Sequence, residues 1–309
     1  MVGGNQGALK MKRVVIGTLQ IECGSFYSLS RRFGSIRVQC LGDYQRKYTA
    51  IEFECASDLW EDIGAELATY SLSGEVSVRE ECKFTKKDLD SAELYHVYPN
   101  RAPTENHVTE TGMFDYSIVP TPENPAPWCW QIGDMRIRRR HLPPSHALIN
   151  MTFLYDLIVH KAFWLEIQSL AGHALGVRPV LGLSSSEPLD WHLLVGRRVM
   201  PPVASSTTGL KLYPTQPRNY PVTVVVHDDA EGMWIHYSRR QLLEAFDGHL
   251  PAAAFTSELV SDWQGDTDPD YPPPQPMLIV GKEFRELALK HKNHRLKFEP
   301  VHLVDDPVA

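Results

Sequence analysis

The chain has 309 residues, of which 43% are hydrophobic and 22% charged, the composition of an ordinary soluble globular protein. Its formal net charge of −7 argues against a protein that binds nucleic acid through a basic surface. No apolar run approaches the roughly 20 residues that a membrane-spanning helix needs, so we expect neither nucleic acid nor a membrane as a partner.

The N-terminus and the cysteines both favour the cytoplasm. The basic residues near the N-terminus are not followed by the continuous apolar run of a secretory signal. The five cysteines are odd in number, widely spaced and without a CxxC pair, which is typical of reduced thiols and not of a disulfide framework or a zinc ribbon. We expect a cytoplasmic protein without a cofactor or a bound metal.

The first part of the chain predicts short strands and a helix. Residues rich in β-branched side chains, or alternating between apolar and polar, predict strands over 13–21, 35–40, 50–55 and 75–78. Leucine and isoleucine at helical spacing behind Ser57 predict a helix over residues 57–69, and a polar helix or turn follows at 85–92. The proline-rich residues 100–127 are expected to form a long surface loop, and residues 131–140 an extended segment.

Two stretches, residues 157–183 and 277–304, carry much the same sequence and align without a gap at an offset of 121. Each opens on an apolar run, continues with the stripe of an amphipathic helix and closes on a second apolar run. We interpret them as an internal repeat of one strand–helix–strand unit. The identical pairs are Leu157/Leu278, Ile158/Ile279, Val159/Val280, Lys161/Lys282, Phe163/Phe284, His173/His294, Leu175/Leu296, Pro179/Pro300 and Val180/Val301.

The residues between the two units predict a hairpin, a helix and a connector. Residues 222–226 and 233–237 read as two strands joined by the turn sequence HDDAEG, so we predict a hairpin over 222–237. Ser238 is expected to cap a helix over 239–246, which Gly248 ends. Residues 265–276 are acidic and rich in proline, which predicts a stiff extended connector or an exposed loop.

These elements predict an α+β, mixed α/β fold with two related halves, each ending in a strand–helix–strand unit. The N-terminal half is expected to cover residues 1–183 and to end in the unit 157–183. The C-terminal half is expected to cover residues 184–309, with the hairpin 222–237, the connector 265–276 and the unit 277–304. The boundary is placed near residues 183–188.

The repeat unit resembles the C-terminal end of bacterial immunity proteins of polymorphic-toxin systems, of the double-CXXCG-motif type and related domains of unknown function. Ile279, Phe284, Glu299, Pro300 and Val301 take the places of that family's structural signature. Residues 131–137, followed by the unit at 157–180, look like the body of the same family. The paired CxxC motifs are absent, so the resemblance carries no metal site over to this chain. It implies a cytoplasmic, non-enzymatic protein that binds and neutralises a toxin.

The sequence therefore favours a non-enzymatic immunity protein over an enzyme. Many toxins of this kind are basic nucleases, so an acidic surface would steer a cognate protein toxin onto the chain. The acidic residues expected to bind such a partner lie on the predicted hairpin and before the proline run. They are Asp228, Asp229, Glu231, Asp266 and Asp268.

Two other functions stay open. A metal-dependent hydrolase would use His227, Asp228 and His236, because a histidine beside an aspartate can bind a metal that activates water. A plain turn explains the same residues, since aspartate is common in turns. A structural subunit of a bacterial assembly would use the repeat units as docking faces.

Three further groups of residues have an ordinary structural explanation. Cys129 between two tryptophans is typical of a buried strand edge and lacks the base that a nucleophilic thiol needs. His141 and His146 flank two prolines, which is typical of a surface loop. The arginines of residues 136–140 alternate with apolar side chains as on a solvated strand face.

Overall fold

A computed structural model describes residues 12–19, 37–41, 48–54, 77–99, 116–117, 130–131, 135–137, 139, 142, 148–150, 157–183, 185, 187–212, 224–227, 233–261, 275–291 and 296–305. Its helices are α1 (Lys86–Ser91), α2 (Lys161–Ala171), α3 (Arg239–Ala245) and α4 (Lys282–Lys290). Its strands are β1 (Lys12–Leu19), β2 (Arg37–Leu41), β3 (Tyr48–Glu54), β4 (Ser77–Lys83), β5 (Leu94–Pro99), β6 (Tyr116–Ser117), β7 (Trp130–Gln131), β8 (Met135–Ile137), β9 (Leu148–Asn150), β10 (Leu157–His160), β11 (Leu175–Gly182), β12 (Pro188–Gly196), β13 (Leu210–Leu212), β14 (Val224–His227), β15 (His236–Ser238), β16 (Ala253–Ser261), β17 (Gln275–Gly281) and β18 (Leu296–Val304). The fold is α+β, as the sequence predicts.

The chain divides into two compact units at a different place from the one expected. One unit comprises Met1–Asp90 with Asp228–Trp234, and the other Ser91–His227 with Ile235–Ala309. The boundary expected near residues 183–188 lies inside the second unit, between two strands, β11 and β12, that pair in antiparallel fashion. Ladder hydrogen bonds therefore join the two sides of the expected boundary in one sheet.

The first unit contains an antiparallel sheet with the strand order β2-β3-β1-β4. In it β1 pairs with β3 on one side and β4 on the other. The four strands predicted in this region all form, and the last continues to Lys83. The helix predicted over residues 57–69 lies outside the described residues.

The second unit contains a five-stranded sheet and a seven-stranded sheet. The five-stranded sheet has the order β8-β11-β12-β10-β9, and the seven-stranded sheet has the order β13-β14-β16-β17-β5-β18-β15. A separate two-stranded ribbon of β6 and β7 comes from the region predicted as loop and extended segment. Among the described helices, none combines the length and the apolar character that crossing a membrane requires.

Both predicted repeat units form a strand, a helix and a strand. Each helix, α2 or α4, connects two parallel strands that lie on either side of an antiparallel strand. Phe163 and Phe284, which are equivalent in the repeat, are both buried. Their rings meet edge to face with centroids 5.6 Å apart, and both belong to one apolar core. The two helices that are too short to be stable alone thus pack against their sheets and on each other.

The likeness of the two sheets extends beyond the repeat units. Strand β9 pairs with β10 in antiparallel fashion, as β16 pairs with β17. Strand β8 pairs with β11 in parallel, as β15 pairs with β18. The connections differ in length: residues 262–274 join β16 to β17, whereas residues 151–156 join β9 to β10. The longer connection contains most of the acidic, proline-rich stretch.

The predicted hairpin over residues 222–237 is wrong. Strand β14 pairs with β13 and, in parallel, with β16, whereas β15 pairs in parallel with β18. Four other strands lie between β14 and β15 in the sheet. The residues that look like a hairpin turn therefore belong to a connection between distant strands. Pairing with non-local strands outweighed the local turn signal.

The helix that follows β15 begins at the predicted residue and ends at Ala245, one residue before the predicted end. The hydroxyl of Ser238 accepts a hydrogen bond from the N–H of Gln241 at 3.2 Å, which makes Ser238 the N-cap of α3. At the other end, Asp247 and Gly248 both have positive φ, and the N–H of Gly248 donates to the carbonyl of Leu243. A glycine tolerates this left-handed conformation without a steric cost.

Candidate functional site

Buried polar side chains gather where residues 199–207 pass β15 and β16. This segment joins the inner part of the sheet through Met200, whose N–H donates to the carbonyl of Phe255, and then reaches β15. A buried carboxyl, a buried tyrosine and two histidines lie around it. We call them, with two hydroxyl residues of the segment, the Glu258 cluster: Ser206, Thr207, His236, Tyr237, Glu258 and His302.

A β-bulge positions Glu258. The register of β16 against β17 shifts between Phe255 and Leu259, so the ladder is interrupted at residues 256–258. The hydroxyl of Thr256 donates to the carbonyl of Glu258 at 2.7 Å and accepts from the N–H of Met277 at 3.0 Å. This buried threonine holds the bulge closed. Because a bulge redirects side chains, it turns the acidic side chain of Glu258 into the interior.

The carboxyl of Glu258 is buried, with 5% of the residue exposed. Its Oε1 accepts a hydrogen bond from the N–H of Val203 at 2.9 Å. Burial raises the pKa of Glu258 above its ordinary value, and the Val203 N–H, which favours the charged form, offsets this only in part. The carboxyl is thereby shifted towards its protonated form.

Tyr237 of β15 is fully buried and interacts electrostatically with this carboxyl. Burial first, and the negative charge of Glu258 second, raise the pKa of its phenol well above the ordinary value. The Tyr237 hydroxyl and the Oε2 atom of Glu258 are both buried without a hydrogen-bond partner among the described residues. A phenol and a carboxyl whose pKa values are both raised by burial therefore interact in the interior of the second unit.

The backbone of His236 is held on the outer edge of β15. The hydroxyl of Thr207 accepts from the N–H of His236 at 3.0 Å and donates to its carbonyl at 3.2 Å. The N–H of Ala204 also donates to that carbonyl, at 2.8 Å. Residues 204–207 thus occupy the edge position where another strand would pair, which protects this part of the edge.

The imidazole of His236 lies between a hydroxyl and a second imidazole. Its Nδ1 is 2.8 Å from the hydroxyl oxygen of Ser206, and its ring meets that of His302 edge to face at 5.0 Å. Burial, and to a lesser degree the charge of His302, lower the pKa of His236 to about 4. Burial also lowers the pKa of His302, against a smaller opposing effect of Asp305. Both rings are thus disfavoured as cations.

The Glu258 cluster consists of groups that the protein shifts towards their uncharged forms. The two imidazoles and the phenol are shifted towards neutrality, and the carboxyl towards protonation. Such groups can donate and accept hydrogen bonds, but they supply little fixed charge for a phosphate. In the described part of the chain, no three histidine, cysteine, aspartate or glutamate side chains are grouped to hold a metal.

Glu258→Gln is expected to stabilise the protein more at pH 7 than at pH 4. Because the folded carboxyl has the higher pKa, the folded state binds more protons than the unfolded state, and stability falls as the pH rises from the unfolded towards the folded pKa. Glutamine keeps an acceptor for the Val203 N–H and cannot ionise. Urea unfolding at both pH values measures the difference, with Glu244→Gln on exposed α3 as the control for an acid-to-amide change. Equal effects at the two pH values would contradict this.

Of the residues predicted to carry function, His236 is the one that the described part of the chain places in this cluster. Asp228, Asp229, Glu231, Asp266 and Asp268 all lie outside the described residues. His236, from the hydrolase hypothesis, does belong to the cluster. Its expected co-ligand His227 ends β14, with four strands between β14 and β15, so the structure does not bring the two histidines together.

The remaining candidates do not form a site among the described residues. Cys129, His141 and His146 lie outside the described residues. Arg136 is half-buried on β8 and Arg139 is exposed.

No family model matches the chain, and neither a curated protein nor a solved structure matches it.

Proposed function

We propose that the chain is a cytoplasmic, non-enzymatic binding protein of the bacterial immunity type, which neutralises a cognate basic protein toxin by direct binding. The resemblance of its repeat units to such proteins motivates the proposal. The observation that carries it is the connection between β16 and β17, which is more than twice as long as the equivalent connection between β9 and β10.

That longer connection is where acidic residues accumulate. Residues 262–274 include Asp266 and Asp268, whereas residues 151–156 of the first repeat contain a single acidic residue, Asp156. In repeat proteins, segments added to one copy of a shared framework map to loops that often form the binding face. The second acidic group, Asp228, Asp229 and Glu231, lies in another connection, between β14 and β15.

Acidic connections suit a basic protein partner for a physical reason. Complementary charge speeds the encounter of two proteins and fixes their register, and its effect weakens with salt. The chain as a whole carries a net charge of −7, so these acidic residues add to a field of the same sign. The Glu258 cluster, whose titratable groups are shifted towards their uncharged forms, is then part of the framework.

Co-purification tests the proposal. The chain is co-expressed with the tagged product of the gene immediately upstream, and the affinity of the complex is measured at low and at high salt. We expect a stable complex whose affinity falls by about tenfold or more when both acidic groups are neutralised. The test variant combines Asp228→Asn, Asp229→Asn, Glu231→Gln, Asp266→Asn and Asp268→Asn.

A matched control separates the two acidic groups from the net charge. It neutralises the same number of exposed acidic residues elsewhere and is expected to keep most of the affinity. Equal losses in both variants would show that only net charge matters, and absence of any complex would refute the immunity function. Self-association without a toxin would favour a structural subunit instead. The control combines Glu187→Gln, Asp190→Asn, Glu244→Gln, Glu283→Gln and Glu286→Gln.

A further inference from the structure

The two sheets of the second unit contain the same succession of five strands. The first copy has the order β8-β11-β12-β10-β9, and the second has β15-β18-β5-β17-β16 inside the seven-stranded sheet. In both, the first pair of strands is parallel and the other three pairs are antiparallel. The equivalence found in the sequence for one strand–helix–strand unit thus extends to a whole sheet.

The registers of the central strands also coincide. In the first copy, Ile158 and Arg178 both lie opposite Leu193 of β12. Their equivalents in the second copy, at an offset of 121, both lie opposite His96 of β5. The next rung agrees, with His192 of β12 in the place of Tyr95 of β5. One constant offset of 97 therefore relates β5 to β12.

The outer strands follow the same rule. Residues 135–137 of β8 and 235–237 of the second copy correspond at an offset of 100, since Arg136 pairs with Leu181 as His236 pairs with His302. Leu148 of β9 pairs with Val159 as Ala253 of β16 pairs with Val280. A one-residue shift in the register of any pair would move the side chains of one strand to the opposite face of the sheet. Agreement in all four pairs therefore indicates a common unit.

The two copies differ in where the central strand comes from. In the first copy, β12 follows β11 directly, after residues 183–187. In the second copy, the place is filled by β5, which precedes the whole first copy in the chain. We propose that the protein is a duplication of one five-stranded unit whose second copy is closed by a strand from ahead of the first. Strand β5 thus links the beginning of the second unit to its end, because it pairs with β17 and β18.

The packing of β5 explains why the second copy needs it. Both of its edges are paired, one with β17 and the other with β18. Leu94, Tyr95 and Val97 are almost completely buried, and the Tyr95 hydroxyl donates to the carbonyl of Ala92 at 2.8 Å. Without β5, the edges of β17 and β18 would expose unpaired backbone groups beside an apolar core. We therefore expect β17 and β18 to expose their backbone amides only in openings in which β5 also detaches from the sheet.

Moving β5 to the end of the chain tests whether it is equivalent to β12. In a rearranged chain, a flexible linker of equal length takes the place of residues 92–99. The eight removed residues are then attached after Val304 through a copy of residues 184–188. This reproduces the connection between β11 and β12. We expect a folded protein whose thermal midpoint is within about 5 °C of the original and whose β17 and β18 amides stay protected. A control carries the eight moved residues in scrambled order and is expected to lose that protection.

Hydrogen exchange on the unaltered chain gives an independent test if the rearranged chain fails to fold. Amides of β5 are expected to exchange through the same opening as those of β17 and β18, with one shared dependence on denaturant. Exchange of β5 together with β4, its nearest strand in the sequence, would overturn the proposal. So would a rearranged chain that folds no better than its scrambled control while β5 exchanges separately from β17.

Discussion

Replacing Phe284 by alanine is expected to lower the free energy of unfolding by about 3–5 kcal/mol, the usual cost of removing a buried aromatic ring. The residue has no exposed surface, and its ring packs on that of Phe163 where α2 and α4 meet. Phe163→Ala is expected to cost a similar amount, since its ring also contacts His291. Urea unfolding of the two single variants and the double variant measures both costs and their coupling.

The coupling of the two rings is the more specific part of this result. An edge-to-face pair contributes about 0.5–1.5 kcal/mol beyond the area it buries, so the double variant should cost less than the sum of the two. Leu165→Ala and Leu289→Ala are controls on the same helices, because these leucines are 56% and 44% exposed. They are expected to change stability by about 0.5 kcal/mol or less. Additive phenylalanine costs would mean that the two helices are not packed through these rings.

Acidification from pH 6.5 to pH 4 is expected to destabilise the protein through His236. Its pKa of about 4 in the folded chain is below the ordinary value of 6.5. The unfolded state therefore binds more protons in this window, and stability falls as the pH falls through it and is fully present above pH 6.5. Allowing for screening by solvent, the loss is on the order of 2 kcal/mol.

A neutral replacement isolates this contribution. His236→Asn keeps an acceptor or donor where Nδ1 meets the Ser206 hydroxyl and removes the proton uptake. Unfolding free energies measured at intervals from pH 4 to pH 7 are expected to vary less in this variant than in the original chain. His302→Asn should flatten the profile less, and the double variant most. Burial lowers the pKa of each of the two histidines, so each contributes to the loss of stability at low pH. An unchanged profile in His236→Asn would contradict the burial of this imidazole.

Local patterns in the sequence predicted the repeat units and several strands but not their partners. The apolar runs and the helical stripe around Phe163 and Phe284 lie within each unit, so a short window contains the whole signal. Strand β5 was missed because its six residues, LYHVYP, mix histidine and tyrosine into a buried strand. Its pairing partners are remote in the chain, and no local pattern indicates non-local pairing.

The Glu258 cluster was missed for a related reason. A single glutamate between apolar runs belongs to no catalytic motif, and its neighbour Val203 is 55 residues away in the chain. The irregular run AFTSELV does break the alternation expected of a strand, which is the only sequence signal of the bulge. The hairpin was predicted wrongly because a turn signature was weighed without knowledge of the strands that compete for β14 and β15.

Rescue of growth is the most direct test of the immunity function, because it measures neutralisation and not merely binding. Cells express the product of the upstream gene alone, with this chain, or with the variant lacking the two acidic groups. We predict that the upstream product alone stops growth, that the intact chain restores it, and that the acidic variant restores it poorly at equal expression. Arrested growth in the presence of the intact chain, or no toxicity without it, would contradict the proposed function.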